Sequence, residues 1–224
     1  MKILITAGST WIKVDEVRVL TNKFTGKTGL YLAQELKKKG YTATLLINPH
    51  CIGEVKGVKA VYYRYFDEFK TAVRKLLKNN HFDMIVHAAA VSDYKVKSAF
   101  EGKIPSGKKE LNLKLAPAEK IIKQIRKLAK RSILVQFKLE VKRKGLCEKA
   151  LKSLKENKSN YVVANALEDL KRKYKAFIID KDKNIIVINS KKNLARGIIN
   201  VAGALSPRPD NNKITGRGNS ALAR

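Results

Sequence analysis

The 224-residue chain predicts an α/β fold: a Rossmann-like, mainly parallel sheet with helices on both faces and a late antiparallel hairpin. Three observations predict it. Short apolar runs alternate with amphipathic segments of helical period along most of the chain. One run, 83–91 (DMIVHAAAV), is apolar without alternation, as suits a strand buried on both faces. Near the end, two alternating runs, YKAFIID and NIIVIN, flank KDKN, four residues suited to a hairpin turn.

The elements follow in order. KILITAG (2–8) reads as a first strand that runs into a long loop. A helix over 29–39 stops at Gly40, a glycine placed to close it. Strands are expected at 42–48 and 58–66. In 67–80, Phe69, Ala72, Val73, Leu76 and Leu77 form an apolar stripe, and Lys70, Arg74, Lys75 and Lys78 fill the solvent side. The buried strand 83–91 leads into a polar stretch, 92–110, short of apolar anchors. LNLKLA (111–116) alternates like a half-buried strand. A helix over 118–130 turns Ile121, Ile122, Ile125, Leu128 and Ala129 inward. Then come a strand at 132–140, a helix at 146–157, a strand at 161–166, the hairpin and a helix at 191–205. These elements make one domain over 1–205. The residues 206–224 show no periodicity and read as a disordered tail. In sheets of this kind ligands bind beyond the carboxyl ends of the strands. The informative loops are therefore 8–29, 92–110, 137–145 and 165–173.

Composition narrows the function classes. Hydrophobic residues make up 44% of the chain, enough for a packed core. No run of about eighteen apolar residues marks a membrane span, and the apolar start is too short for a signal peptide. Two separated cysteines, Cys51 and Cys147, fit a reducing cytoplasm rather than a disulfide scaffold. The formal charge of +29 suggests a polyanion partner. Lysine sits on the polar face of several separate helices, however, which reads as a solvated surface rather than a nucleic-acid footprint. Small phosphorylated substrates profit from the same field.

The motifs point to such substrates. Gly26-Lys27-Thr28-Gly29 places a lysine between glycines at a helix start, where backbone N–H groups and the helix dipole favour an anion. It is not a P-loop, because the glycine that motif needs five residues earlier is Thr21. No GxGxxG follows the first strand either, which disfavours a dinucleotide site. The small residues Ala88, Ala89 and Ala90 at the end of the buried strand allow close approach to backbone, and Asp93 stands just beyond. That carboxylate suits a ribose hydroxyl or a metal. His50, His81 and His87 have no metal-ligand spacing. Lys103, with Lys108 and Lys109, lies in the polar stretch, which reads either as a solvated charged loop or as a mobile loop able to fold over phosphates.

Together these segments resemble the phosphopantothenate–cysteine ligase family, over about residues 1–203. The resemblance rests on ITAGSTWIKVDEVRVLTNKFTGKTG, with its Asp-x-Val-Arg-x-x-x-Asn segment and glycine turn. It rests also on AAAVSDY followed by Lys103-Ile104 ten residues after Asp93. The small monofunctional form of the family is the most similar, with FKLEV after its long strand. There are departures. Gln136 precedes Phe137 where the family has glycine, Ala166 stands for a late Asp, and Pro105 and Ser106 replace two lid lysines. Lys108 and Lys109 are the nearest substitutes. Glu156 falls where a second lysine is usual, with Lys155 and Lys158 beside it. The decarboxylase part found in larger relatives does not precede this segment, so the next step of coenzyme A synthesis is not expected of it.

The resemblance implies an enzyme that joins 4′-phosphopantothenate to L-cysteine through an acyl-nucleotide, with CTP or ATP as cosubstrate and Mg²⁺ as cofactor. It implies a cytoplasmic homodimer without nucleic-acid or membrane partners. By family position Asn22, Arg18 and Lys103 are catalytic, and Gly8, Lys27, Ala88, Ala89, Asp93, Lys103, Phe137 and Lys152 bind the nucleotide. Arg18, Asn22 and Ala90 bind phosphopantothenate. Lysines and Mg²⁺ serve the charge that develops on phosphates, and the neutral amide of Asn22 serves the acyl oxygen.

Overall fold

The computed structural model describes residues 1–52, 55–107, 109–171 and 174–204. Eight strands form one sheet in the order β12-β11-β10-β9-β6-β1-β4-β5. The strands are β1 (Lys2–Ala7), β4 (Thr42–Ile47), β5 (Lys59–Tyr62), β6 (Met84–His87), β9 (Ile133–Glu140), β10 (Tyr161–Ala166), β11 (Ala176–Asp180) and β12 (Ile185–Ile188). Strands β5, β4, β1, β6, β9 and β10 run parallel, and β10, β11 and β12 pair antiparallel. The chain winds outward from β1 in both directions. The switch point therefore lies between β1 and β6, where such sheets hold their ligands.

Period-two alternation sends side chains to two faces, and each face has its own helices. Ile3, Ile5, Leu45, Val86, Val135 and Ile178 pack against α1 (Lys27–Lys38) and α6 (Lys191–Gly203). Leu4, Leu46, Ile85 and Leu134 pack against α2 (Phe66–Asn79) and α3 (Ile121–Leu128). Val162, Ala164 and Ile179 pack against α4 (Leu146–Glu156) on that second face. Leu32 and Leu36 of α1 are almost wholly buried, and each contributes about 1.5–3 kcal/mol relative to exposure. Gly40 closes α1 at φ +83°, with its N–H donating to Lys37 O.

Several expectations are corrected. The loop 8–29 contains a hairpin, β2 (Trp11–Lys13) with β3 (Val19–Thr21), and α1 begins two residues before the expected helix start. The strand expected at 58–66 ends at Tyr62, because Phe66 opens α2. Only the end of 111–116 is strand. That strand, β8 (Leu115–Pro117), lies outside the main sheet and pairs with β7 (Tyr94–Val96). A short helix, α5 (Leu167–Lys171), follows β10. The stretch 92–110 has an apolar anchor after all, since Ile104 is buried. Lys108 and the tail 206–224 lie outside the described residues. No helix among the described residues is long and apolar enough to cross a membrane.

Candidate active site

The carboxyl ends of β1, β4 and β6 are laced together by polar contacts. Ala90 N–H donates to Gly8 O at 2.9 Å, and the Tyr63 hydroxyl donates to Ala7 O at 2.7 Å. The Asn48 amide donates to Ser9 O at 2.8 Å. The glycine turn packs on this platform. A Cβ on Gly26 would stand 2.5 Å from Gly8 N, and one on Gly29 would stand 2.4 Å from Ala7 Cβ. Both positions need glycine for close approach, and Gly26 also needs it for φ +83°. The turn is thereby held against β1, and Lys27 opens α1 directly beside it. Gly26 has no side chain to cap α1, and apart from Lys27 N–H, which donates to Thr25 Oγ1 at 3.4 Å, the first-turn N–H groups have no side-chain acceptor among the described residues, which suits an anion.

Two cavities meet above the switch point. The first, of about 380 Å³, is lined by Gly26, Lys27, Ala88, Ala90, Phe137 and Asn165 among others. Tyr174 lines it too, and burial pushes its phenol up to about 12, so it is a neutral hydrogen-bonding group there. The second, of about 490 Å³, lies between α3 and α4 and includes Asp93, Lys120, Lys123 and Lys152. Ala89 and Phe137 line both. One cavity thus has a helix start and small residues, and the other has lysines.

The lysines differ in their pairing. Lys120 Nζ lies 2.6 Å from Asp93 Oδ1, and Lys149 and Lys138 both contact Glu140. Their contacts hold the Glu140 carboxyl below the usual range. Lys27, Lys103 and Lys152 have no carboxylate partner among the described residues. Glu156 lines the second cavity, whereas Lys155 and Lys158 do not.

The expected site residues are thus brought together in part. Lys27, Ala88, Ala89, Ala90 and Phe137 share the first cavity, and Asp93 and Lys152 share the second with Ala89 and Phe137. Gly8 lies beneath, in contact with Gly26. Asn22 stands at the edge, its amide donating to Ala90 O at 3.1 Å. Arg18 and Lys103 line neither cavity. The Arg18 guanidinium pairs with buried Asp15, and Ile104 N–H donates to the same carboxylate at 3.0 Å. Burial opposes the Asp15 charge most strongly. N–H groups of Ile104, Val17 and Arg18, with the Arg18 guanidinium, nonetheless hold it well below the usual carboxylate range. Arg18 and the Lys103 segment are thus fastened to one another beside the site.

The sequence marks the loop 165–173 without giving Asn165 a role, and it does not reveal Tyr174 or the walls of the second cavity on α3. Asn165 was legible as the polar residue ending an apolar strand. The α3 residues carry only the pattern of an ordinary amphipathic helix.

The chain is similar to known proteins along most of its length. Residues 1–204 match the family model for the DNA/pantothenate metabolism flavoprotein C-terminal domain. The chain is similar to the coenzyme A biosynthesis bifunctional protein CoaBC of Thermococcus kodakarensis. They are 34% identical over 172 residues, which is 75% of this chain and 41% of that protein. It is likewise similar to CoaBC of Methanocaldococcus jannaschii, with 31% identity over 88% of this chain and 49% of that one. The chain spans about half the length of the curated relatives it matches. Among solved structures, the C-terminal domain of a CoaBC protein has a TM-score of 0.75 at 27% identity, covering 91% of this chain and 94% of that one. A DNA/pantothenate metabolism flavoprotein from Streptococcus pneumoniae has the same fold, with a TM-score of 0.81 at 24% identity, covering 91% and 99%.

Proposed function

Because the chain belongs to the DNA/pantothenate metabolism flavoprotein C-terminal domain family, we propose that it joins 4′-phosphopantothenate to L-cysteine at the expense of a nucleoside triphosphate. One observation carries this reading. An anion-receptive glycine turn, an alanine strand end and an aromatic ring line one cavity at the switch point, and a lysine-lined cavity adjoins it.

The chemistry needs both. A carboxylate is a poor acyl donor until its oxygen becomes part of a leaving group. In the first step a carboxylate oxygen attacks the α-phosphorus, and pyrophosphate departs with the electron pair of the broken P–O bond. In the second, the cysteine amine attacks the acyl carbon. The acyl C–O bond breaks, the nucleoside monophosphate leaves with its electron pair, and the amine proton passes to water. Lys27 and Lys152, free of carboxylate partners among the described residues, suit phosphate oxygens. Small Ala88 and Ala89 and the ring of Phe137 suit a flat base. The Asn22 amide, tied to Ala90 O at the cavity edge, is a neutral donor suited to an acyl oxygen that develops charge.

No group of three metal-ligating side chains occurs among the described residues. Mg²⁺ arriving on the triphosphate needs no such group, because this ion keeps several waters and takes only one or two carboxylates. Of the carboxylates that line the second cavity, Asp93, Glu119, Glu140 and Glu156, Asp93 stands nearest in sequence to the alanine run and fits such a role. Held there by Asp93, Mg²⁺ would supply charge neutralisation on the phosphates. A cytoplasmic homodimer is the proposed setting, and light scattering tests the dimer.

Incubation with 4′-phosphopantothenate, cysteine, Mg²⁺ and either CTP or ATP, with a pyrophosphate assay, tests the reading and the base preference together. The expected result is pyrophosphate release that depends on the acid. Absence of release with both nucleotides overturns the assignment.

A further inference from the structure

A third cavity, of about 170 Å³, lies behind Asn22. It is lined by Trp11, Val19, Asn22, Phe24, Thr25 and His50 among others. Phe24 and Thr25 also line the first cavity, so the two share a wall. Asn22 stands on that wall, bonded to Ala90 O of the first cavity. The volume holds about six water-sized groups, which is the size of a small amino acid and too little for a nucleotide.

The lining has a definite character. Among the described residues, no Lys, Arg, Asp or Glu contributes to it. Its polar side chains are mostly committed. Ser9 Oγ donates to Phe24 O at 2.6 Å, Thr21 Oγ1 donates to Thr10 O at 3.1 Å, and the Asn48 amide donates to Ser9 O. The rings are fixed. Trp11 meets His50 edge-on at 4.5 Å and Tyr65 at 5.9 Å, and its backbone N–H donates to Arg64 O. Beyond the polar groups of Asn22, Thr25 and His50, what remains exposed inside is aromatic edge and methyl surface.

We propose that this cavity holds the thiol side chain of the attacking cysteine, between Trp11 and Phe24, with the amine directed past Asn22 toward the acyl group. The inference rests on the ligase reading and adds to it the place of the amino acid. A thiol is a soft, weak hydrogen-bonding group that packs well at ring edges, whereas a hydroxyl buried here loses water and meets few open partners.

The chain has a single tryptophan, so its fluorescence reports on this cavity alone. The protein is first loaded with nucleotide, Mg²⁺ and 4′-phosphopantothenate. It is then titrated with 3-mercaptopropionate, which has the thiol and carboxylate of cysteine but no amine. The expected result is saturable quenching of Trp11, with no comparable change from propionate. A second arm replaces Val19 with phenylalanine, which fills the cavity, and should raise KM for cysteine at least about tenfold by excluding the side chain. Quenching that is absent, or equal with propionate, overturns the pocket. So does an unchanged KM in Val19→Phe, or a Trp11 response complete on 4′-phosphopantothenate alone. The pyrophosphate burst of the unaltered protein without cysteine separates the two ideas. With no burst the ligase reading falls and the pocket with it; with a burst and a silent Trp11, only the pocket falls.

Discussion

His87 ends β6 with its ring inside the protein, Nδ1 lying 2.8 Å from Thr6 Oγ1 and the ring stacked on Phe69 at 6.2 Å. Burial pushes its pKa down to about 4. The unfolded chain holds this proton near pH 6.5, so between those values the unfolded state binds more protons. Stability therefore rises with pH in that window and is lost as pH falls from about 6.5 toward 4. Between pH 7.5 and 4.5 the loss from this one group is about 2–3 kcal/mol. In His87→Gln the urea midpoint should change less over that range, by that amount once converted to free energy. An equal acid sensitivity in both proteins would falsify the assignment. Asn22 is a residue of a different kind, exposed and chemical in purpose. Asn22→Asp keeps the size but puts an anion beside the developing acyl oxyanion. The variant should release pyrophosphate once and then stall, its second step slowed by roughly 10²–10³. Quenched mass spectrometry, with and without cysteine, decides. Normal turnover, or no acyl-nucleotide at all, ends this role for Asn22.

At the scale of elements, the long periodic segments were legible and the short paired ones were not. The helix stripe of 67–80 and the apolar run into His87 follow from burial on one or both faces, which patterns the sequence directly. The hairpin of β2 and β3 carries no such pattern, because Val19–Thr21 is exposed throughout and three residues hold too little alternation. The pair β7 and β8 joins residues about twenty apart, and such pairing leaves little local signal. The site shows the same division. The glycine turn and the alanine run are backbone necessities and were visible. The clamp of Asp15 on Ile104 joins positions 89 apart and was not. That clamp bears on Lys103. Gly102 O accepts from Glu16 N–H at 3.1 Å and Phe100 N–H donates to Val14 O at 2.9 Å, so the segment is hinged against the β2–β3 turn. Lys103 itself is exposed and without a carboxylate partner among the described residues. Lys103→Gln should leave the melting temperature unchanged while slowing acyl-nucleotide formation about 10²–10³-fold, the loss of one charge-assisted contact that strengthens in the transition state. First-step kinetics near normal would remove Lys103 from the reaction.

For the whole molecule the question is what a net charge of +29 does. A duplex-binding protein gathers its lysines where phosphates lie, and tight binding commonly engages six to ten of them on one surface. Here the lysines are dispersed. Lys37 and Lys38 end α1 on one face of the sheet, and Lys191 and Lys192 open α6 on that face. Lys70 and Lys78 of α2, with Lys149 and Lys152 of α4, belong to the other. A rod laid on either face meets only a share of them. Several are also engaged locally, as in Lys70 with Glu119, Lys95 with Asp67 and Lys38 with Glu35. Such exposed pairs add little stability, yet each lowers the positive field nearby. The lysines that converge do so around the second cavity, which has the dimensions of a triphosphate rather than of a double helix. A fluorescent duplex or single strand at physiological salt should therefore bind no more tightly than about 10⁻⁶ M. The triphosphate should compete for the cavity lysines without displacing the residual, salt-sensitive binding of the nucleic acid. Nanomolar affinity for a duplex, or its full displacement by the nucleotide, would show that the charge serves a nucleic-acid surface overlapping the site.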